Sequence, residues 1–148
     1  MPAERQPIDL GKAEVLRSGS DLAIVALGSM VYPALEAAAL LEAQGISATV
    51  VNARFVKPLD LGLYRSLVHE HSAILTVEEA ATLGGFGSSL AVELEGMRNG
   101  LRMQVMGIPD RFFEHGRREI LLREAGLTSD SITRVALELL ERGAVYAR

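Results

Sequence analysis

The stretch DLAIVALGSMVYPALEAAALLEAQG, residues 21–45, decides the predicted fold. Its first part, residues 21–27, is almost entirely apolar, which is typical of a strand covered on both faces of a parallel sheet. Gly28 ends that strand, and apolar residues at helical spacing then predict a helix that begins no later than Pro33 and runs to Gln44. A buried strand followed at once by a helix indicates an α/β fold.

Predicted strands and helices alternate along the rest of the chain. Ser18-Gly19-Ser20 separates a short strand at 13–17 from the first buried strand, so these two strands are predicted to form an antiparallel hairpin. We therefore expect a linker or N-terminal arm over residues 1–10 and one domain over residues 11–148. This is a three-layer α/β domain, with helices on both faces of a mostly parallel five-stranded sheet that has one antiparallel edge strand. Further strands are predicted at 46–52, 73–77 and 101–108, and further helices at 61–70, 86–98, 117–125 and 129–142.

The composition narrows the range of functions. The 148 residues are 49% hydrophobic and 23% charged, which is ordinary for a globular domain. The formal net charge of −4, with no basic patch or tail, argues against binding to nucleic acid or to an anionic membrane. The absence of cysteine excludes disulfides and thiolate chemistry. No apolar run approaches the ~20 residues needed to cross a bilayer and the first residues lack a signal peptide, so a cytoplasmic protein is expected.

Three loops that follow predicted strands, 53–60, 78–87 and 109–116, carry the distinctive residues. In open α/β sheets, ligands and partners bind beyond the carboxyl ends of the strands. Backbone N–H groups of the glycine-containing turn at residues 84–89 could bind a phosphate, but the Lys-Ser/Thr pair of a P-loop is missing. A tight turn that allows close packing or the approach of a partner chain is the simpler interpretation.

The charged residues of these loops do not form a complete active site. Glu78 and Glu79 are adjacent in a predicted strand and so face opposite sides of the sheet, which favours a role at a domain boundary over an acid–base pair. Arg54 and Lys57 could meet an acid, a phosphate or a neighbouring domain's carboxylate, although a structural salt bridge is the simpler interpretation.

The histidines do not predict a metal site. His69 and His71 have the wrong spacing for a helical pair of ligands, which needs residues i and i+4, and His115 stands alone in its loop. Surface or capping roles are therefore expected for them. We assign no catalytic, cofactor-binding or metal-binding residue to this chain.

Several motifs together resemble one enzyme family. In order and spacing, RFVKPLD at 54–60, TVEE at 76–79, GGFGS at 84–88 and GIPDRFFEHG at 107–116 resemble the C-terminal domain of the deoxyxylulose-phosphate synthases. These are thiamine-diphosphate enzymes of the transketolase superfamily. The resemblance extends over residues 7–142, with a mild departure at 128–131 that affects only helix capping.

The resemblance implies a function for the parent enzyme and a supporting role for this chain. The parent would condense pyruvate with glyceraldehyde 3-phosphate and release CO2 for isoprenoid and thiamine biosynthesis, using thiamine diphosphate and Mg²⁺ held by preceding domains. The family's Gly-Asp-Gly…Asn cofactor motif is not in this sequence. The chain alone would therefore be inactive and bind neither group. It would pack on the N-terminal and pyrimidine-binding domains and extend a homodimer interface.

The interface expected from this resemblance lies at the strand ends. Its exposed loops should carry unpaired apolar residues such as Phe55, Phe86 and Phe112. The polar and glycine candidates for the interface are Arg54, Lys57, Glu78, Glu79, Gly84, Gly85, Asp110, Arg111 and His115.

One alternative from a different class stays open. The chain could be a free-standing module, or a subunit of a split enzyme, that binds a partner protein or a small anion. Its basis is Met1 directly ahead of a whole domain, together with two glycine-containing strand-to-helix turns. Phosphate or nucleotide binding that is lost when Gly85 becomes a bulky residue would favour this alternative.

Overall fold

The computed structural model describes residues 7–97 and 100–144, which form a five-stranded sheet between two layers of helices. This architecture confirms the predicted fold class. Residues 1–6 of the predicted arm, the predicted helix end at Arg98 and the last four residues of the predicted domain lie outside the described residues. The strands are β1 (Glu14–Arg17), β2 (Leu22–Ala26), β3 (Ala48–Asn52), β4 (Ala73–Ala81) and β5 (Arg102–Ile108). The helices are α1 (Val31–Glu42), α2 (Leu61–Glu70), α3 (Phe86–Leu94), α4 (Arg118–Glu124) and α5 (Ser129–Ala144).

The sheet is built outward from β2, which is buried on both faces. Its strand order is β1-β3-β2-β4-β5, and β2 pairs in parallel with both β3 and β4. Leu22, Ile24 and Ala26 contribute to the core on one face, whereas Ala23 and Val25 contribute to the core on the other. An apolar strand is stable in this position because each successive side chain enters one of two closed cores.

The two cores belong to different pairs of helices. On one face, α1 and α5 pack together, and the small side chains Ala34, Ala37 and Ala38 allow α1 to approach the sheet closely. On the other face, α2 and α3 contribute Tyr64, Phe86 and other buried side chains. The Tyr64 and Phe86 rings meet edge to face, with their centroids 6.2 Å apart. Helices on both faces are thus confirmed.

The predicted hairpin between the first two strands is wrong. β1 is the antiparallel edge strand, but it pairs with β3, with Glu14 opposite Asn52. Both edges of β2 are occupied by parallel neighbours, so no edge is available for β1. The intervening loop instead crosses the start of β3, where the Gly19 N–H donates to Thr49 Oγ1 at 2.9 Å and the Thr49 hydroxyl donates to the Gly19 carbonyl at 2.9 Å.

The crossing of this loop over β3 leads to a stability prediction. A Cβ atom at Gly19 would overlap the backbone of Ser47 and Ala48, so Gly19→Ala should lower the free energy of unfolding by about 1–3 kcal/mol. The matched control is Gly62→Ala in α2, where the nearest atom to the new methyl group is Asp60 Oδ1 at 3.5 Å and stability should hold or rise. Urea denaturation followed by circular dichroism measures both changes, and equal midpoints for the two variants would contradict the packing argument.

The carboxyl edge of the sheet as a candidate functional site

Four parallel strands end at the same edge of the sheet and place their following loops together. We call this surface the carboxyl edge and define it by residues 27–32, 53–60, 82–85 and 109–117. The connection through α1 runs from β2 to β3 on one side, whereas the connection through α2 returns to β4 on the other. The strand order therefore reverses between β2 and β4, which is where open α/β sheets form a crevice.

The buried carboxylate of Glu78 binds the backbone of the glycine-containing turn after β4. Its side chain is buried, with the residue 1% exposed, and its carboxylate accepts hydrogen bonds from the Phe86 N–H at 2.9 Å and the Gly87 N–H at 2.8 Å. The carboxylate therefore lies at the N-terminus of α3, where the helix dipole favours a negative charge. A Cβ atom at Gly85 would lie 2.6 Å from this carboxylate, so the turn requires glycine for close packing. Two of the N–H groups in the turn that could have bound a phosphate, those of Phe86 and Gly87, are therefore already bonded.

This carboxylate should be important for stability. Glu78→Ala leaves two N–H groups at the start of α3 without their charged partner, so we expect a loss of about 2–3 kcal/mol in the free energy of unfolding. Glu93→Ala, at an exposed position of the same helix, is the control and should change stability by less than about 0.5 kcal/mol. Urea titrations of the two variants compare them directly, and a Glu78 variant as stable as the control would show that the buried hydrogen bonds contribute little.

Glu79 faces the other side of β4 and connects three parts of the carboxyl edge. Its carboxylate accepts a hydrogen bond from the Ser29 hydroxyl at 2.5 Å and two from Arg118, from Nε at 2.8 Å and Nη2 at 2.5 Å. The hydrogen bond from Arg118 holds the pKa of Glu79 below its usual range; partial burial opposes this effect, and the Ser29 hydroxyl adds to it. The network thus joins the turn after β2, strand β4 and helix α4 across the switch point.

The lowered pKa of Glu79 gives a pH-dependent prediction. Because the folded-state pKa lies below the unfolded value, the stabilisation is present above the unfolded pKa and is lost as pH falls through the folded pKa. Glu79→Gln should therefore be less stable than the wild type at pH 7, by no more than about 1 kcal/mol for a partly exposed pair, and equally stable in acid. Urea midpoints from pH 7 down to about pH 3 test this. Glu138→Gln, in the exposed pair with Arg134 on α5, makes the same change of charge and is the control. If the difference in urea midpoint between Glu79→Gln and the wild type stayed constant with pH, the lowered pKa of Glu79 would not be its cause.

The loop after β3 is fixed to the start of the domain. Arg54 has a left-handed backbone (φ 57°), and its side chain forms an ion pair with Glu14 at 2.5 Å. Asp60 accepts hydrogen bonds from the N–H groups of Ala13 at 3.2 Å and Leu63 at 3.3 Å. Arg54 therefore makes the internal salt bridge that the sequence favoured. Lys57 is exposed, and within the described ranges no carboxylate lies within 4.0 Å of its ammonium group.

The loop after β5 is held by two side chains and projects a third. The Arg111 guanidinium donates to the Glu124 carbonyl at 2.9 Å and lies 4.5 Å from the ring centroid of Phe113. Phe113 in turn lines a cavity of about 170 Å³ together with Ile108 and residues of α4. Phe112 is fully exposed, at 105% of its reference area. Asp110, Glu114 and His115 are exposed around it.

The expectation about exposed phenylalanines needs one correction. Phe112 lies on the surface and Phe55 is half-buried, but Phe86 is completely buried. The predicted helix does begin at Phe86, but the ring that was expected to be exposed turns inward onto Tyr64.

The histidines and carboxylates of the described residues do not form a metal site. Among the residues that the structure describes, no three His, Asp or Glu side chains are grouped to hold a metal ion. His69 and His115 are exposed, whereas His71 is buried with its Nε2 3.0 Å from Thr49 Oγ1 at the opposite edge of the sheet. Within the described part of the chain, no helix is long and apolar enough to span a membrane.

Sequence reasoning missed two members of this site. Neither Ser29 nor Arg118 was among the candidate residues. Their partner Glu79 lies 50 and 39 residues away in the sequence, so no local pattern connects them.

Comparison with known proteins adds an independent observation. Residues 11–132 match the family described as transketolase, C-terminal domain. The chain is 48% identical over 143 residues to the 1-deoxy-D-xylulose-5-phosphate synthase of Gloeobacter violaceus, covering 95% of this chain and 22% of that protein. It is 48% identical over 140 residues to the enzyme of the same name from Heliobacterium modesticaldum, covering 93% of this chain and 21% of that protein. The chain thus spans about a fifth of the length of these curated relatives.

Solved structures resemble the fold as well. A structure titled as a split gene transketolase in an inactive beta4 tetramer superimposes with a TM-score of 0.85 at 36% identity, covering 90% of this chain and 44% of that one. A transketolase mutant from Pichia stipitis has a TM-score of 0.67 at 24% identity, covering 93% of this chain and 18% of that one, which is a likeness of fold alone.

Proposed function

The chain belongs to the transketolase C-terminal domain family, and on that premise we propose that it serves as the C-terminal domain of a 1-deoxy-D-xylulose-5-phosphate synthase. The parent enzyme would condense pyruvate with glyceraldehyde 3-phosphate and release CO2. The observation that carries this proposal is the 48% identity over 95% of the chain to an enzyme of that name. The four motifs at 54–60, 76–79, 84–88 and 107–116 support it.

Within that enzyme, the domain would act by packing and would carry out no chemical step. The carboxyl edge is its docking surface for the N-terminal and pyrimidine-binding domains. Glu78 and Gly85 pack together beneath the turn after β4 and hold it in place. Ion pairs between Arg54 and Glu14 and between Glu79 and Arg118 hold other loops of this surface. Of the residues singled out in the sequence, the exposed ones remain contact candidates: Lys57, Glu79, Gly84, Asp110, Arg111 and His115.

Thiamine diphosphate and Mg²⁺ are assigned in this proposal to the preceding domains of the parent. The engagement of the α3 N–H groups by Glu78 and the lack of a metal-ligand group among the described residues support this division. A homodimeric enzyme in the cytoplasm completes the proposal, in line with the cysteine-free composition. The alternative, a free-standing anion-binding module, has less support because the Glu78 carboxylate already occupies one of its two candidate turns.

A graft tests the proposed function. The matching C-terminal fifth of the Heliobacterium modesticaldum synthase is replaced by this chain, and consumption of pyruvate and glyceraldehyde 3-phosphate is measured. We expect turnover within about 10-fold of the unmodified enzyme, which is a loss of at most about 1.4 kcal/mol in transition-state stabilisation. The isolated chain should give no turnover.

Two controls make the result specific. The same enzyme without its C-terminal fifth should be inactive. A graft of the Pichia stipitis transketolase domain, which shares the fold at only 24% identity, should be much less active than the graft of this chain. Robust turnover by the isolated chain, or a folded but inactive graft of this chain, would refute the proposed function.

A further inference from the structure

Large apolar side chains are exposed at the carboxyl edge, as they also are on β1 (Val15 and Leu16) and on the helices (Leu40, Val92 and Ile120). Each of the four parallel strands is followed by a segment that exposes one of them: Tyr32 after β2, Val56 after β3, Leu83 after β4 and Phe112 after β5. In contrast, the described loops at the opposite edge expose none. A surface with an exposed large apolar residue after each of four neighbouring strands is typical of an interface.

The start of the domain indicates what covers this surface. Gly11 packs against Pro58 so closely that a Cβ atom there would lie 2.7 Å from the proline ring, and the Ala13 N–H donates to Asp60. Pro58 and Asp60 belong to the loop after β3, so the polypeptide enters the domain at the carboxyl edge. Since the family is a C-terminal domain and its curated relatives are about five times as long, the bulk of a parent chain would arrive at this edge.

Phe112 has the properties of an anchor within this surface. The loop that carries it is held by the hydrogen bond from Arg111 to Glu124 and by the contact of the Arg111 guanidinium with the ring of Phe113, which lines the cavity beside α4. A fixed loop loses little conformational entropy when it docks, and large aromatic side chains contribute most of the binding energy at interfaces. Yet Phe112 itself is fully exposed, so its ring stabilises nothing within the domain.

We propose that Phe112 is the anchor by which this domain docks onto the part of the parent chain that precedes it, with its ring inserted into an apolar pocket there. Asp110, Glu114 and His115, which are exposed in the same loop, would form the polar rim of the contact once the Phe112 ring is buried in it. This inference rests on the proposed function and names the residue that carries the contact. Several charged residues of the edge are bonded within the domain, so its apolar residues would carry the contact.

The test uses the grafted synthase with Phe112→Ser and a matched control, Val92→Ser. Val92 is 71% exposed on α3, outside the carboxyl edge, so both changes replace an exposed apolar residue with serine. We expect Phe112→Ser to weaken docking by about 30-fold, seen as separate unfolding of the grafted domain and faster proteolysis at the junction. The control should unfold with the rest of the enzyme. In the isolated chain, both variants should have the wild-type urea midpoint.

The remaining outcomes are equally decisive. Identical behaviour of the two variants in the graft would overturn the proposal, as would a loss of stability confined to Phe112→Ser in the isolated chain. If Phe112→Ser abolished dimerisation of the isolated chain but left the graft coupled, the loop would belong to an interface between copies, and the proposal would be wrong. The graft could also be inactive while its domains unfold together with Phe112 and separately with Phe112→Ser. That result would refute the proposed function but support the docking contact.

Discussion

Complete burial of β2 is the constraint from which the rest of this domain follows. All five of its residues have no exposed surface, both of its edges are paired, and its alternate side chains enter two separate cores. Parallel neighbours on both sides require crossover helices on the faces of the sheet, and they bring four strand ends to one edge. The carboxyl edge is therefore a consequence of how the apolar strand is buried.

Charges at this edge are used mainly inside the domain. Glu78 bonds to the start of α3, Glu79 to Ser29 and Arg118, and Arg54 to Glu14. An active site needs polar groups that are available to a substrate, and these groups already have partners within the chain. The exposed residues include one large apolar side chain after each parallel strand, which suits a surface that packs against protein.

Local sequence patterns predicted the strands and helices, whereas the pairing of β1 and the partners of the two glutamates depend on long-range contacts. The buried strand β2 and the helix α1 that follows it were predicted from their apolar patterns, and a three-layer α/β domain follows from the alternation of strands and helices. The partner of β1 depended on hydrogen bonds between Gly19 and Thr49, 30 residues apart, so the hairpin prediction failed. Likewise, adjacent glutamates in a strand predicted opposite faces, but no pattern revealed that one would cap α3 and the other would bind Arg118.

The glycine turn after β4 explains why this fold can support packing in place of ligand binding. A strand, a glycine turn and a helix N-terminus form a general site for anions. Here the anion is the chain's own Glu78, held by two N–H groups, so the turn is rigid and closed to an external phosphate. These hydrogen bonds hold the turn that contains Leu83. The network around Glu79 holds α4 and thereby the end of the loop before it. The same interactions that remove the ligand site therefore orient the apolar residues that we propose dock on the rest of the enzyme.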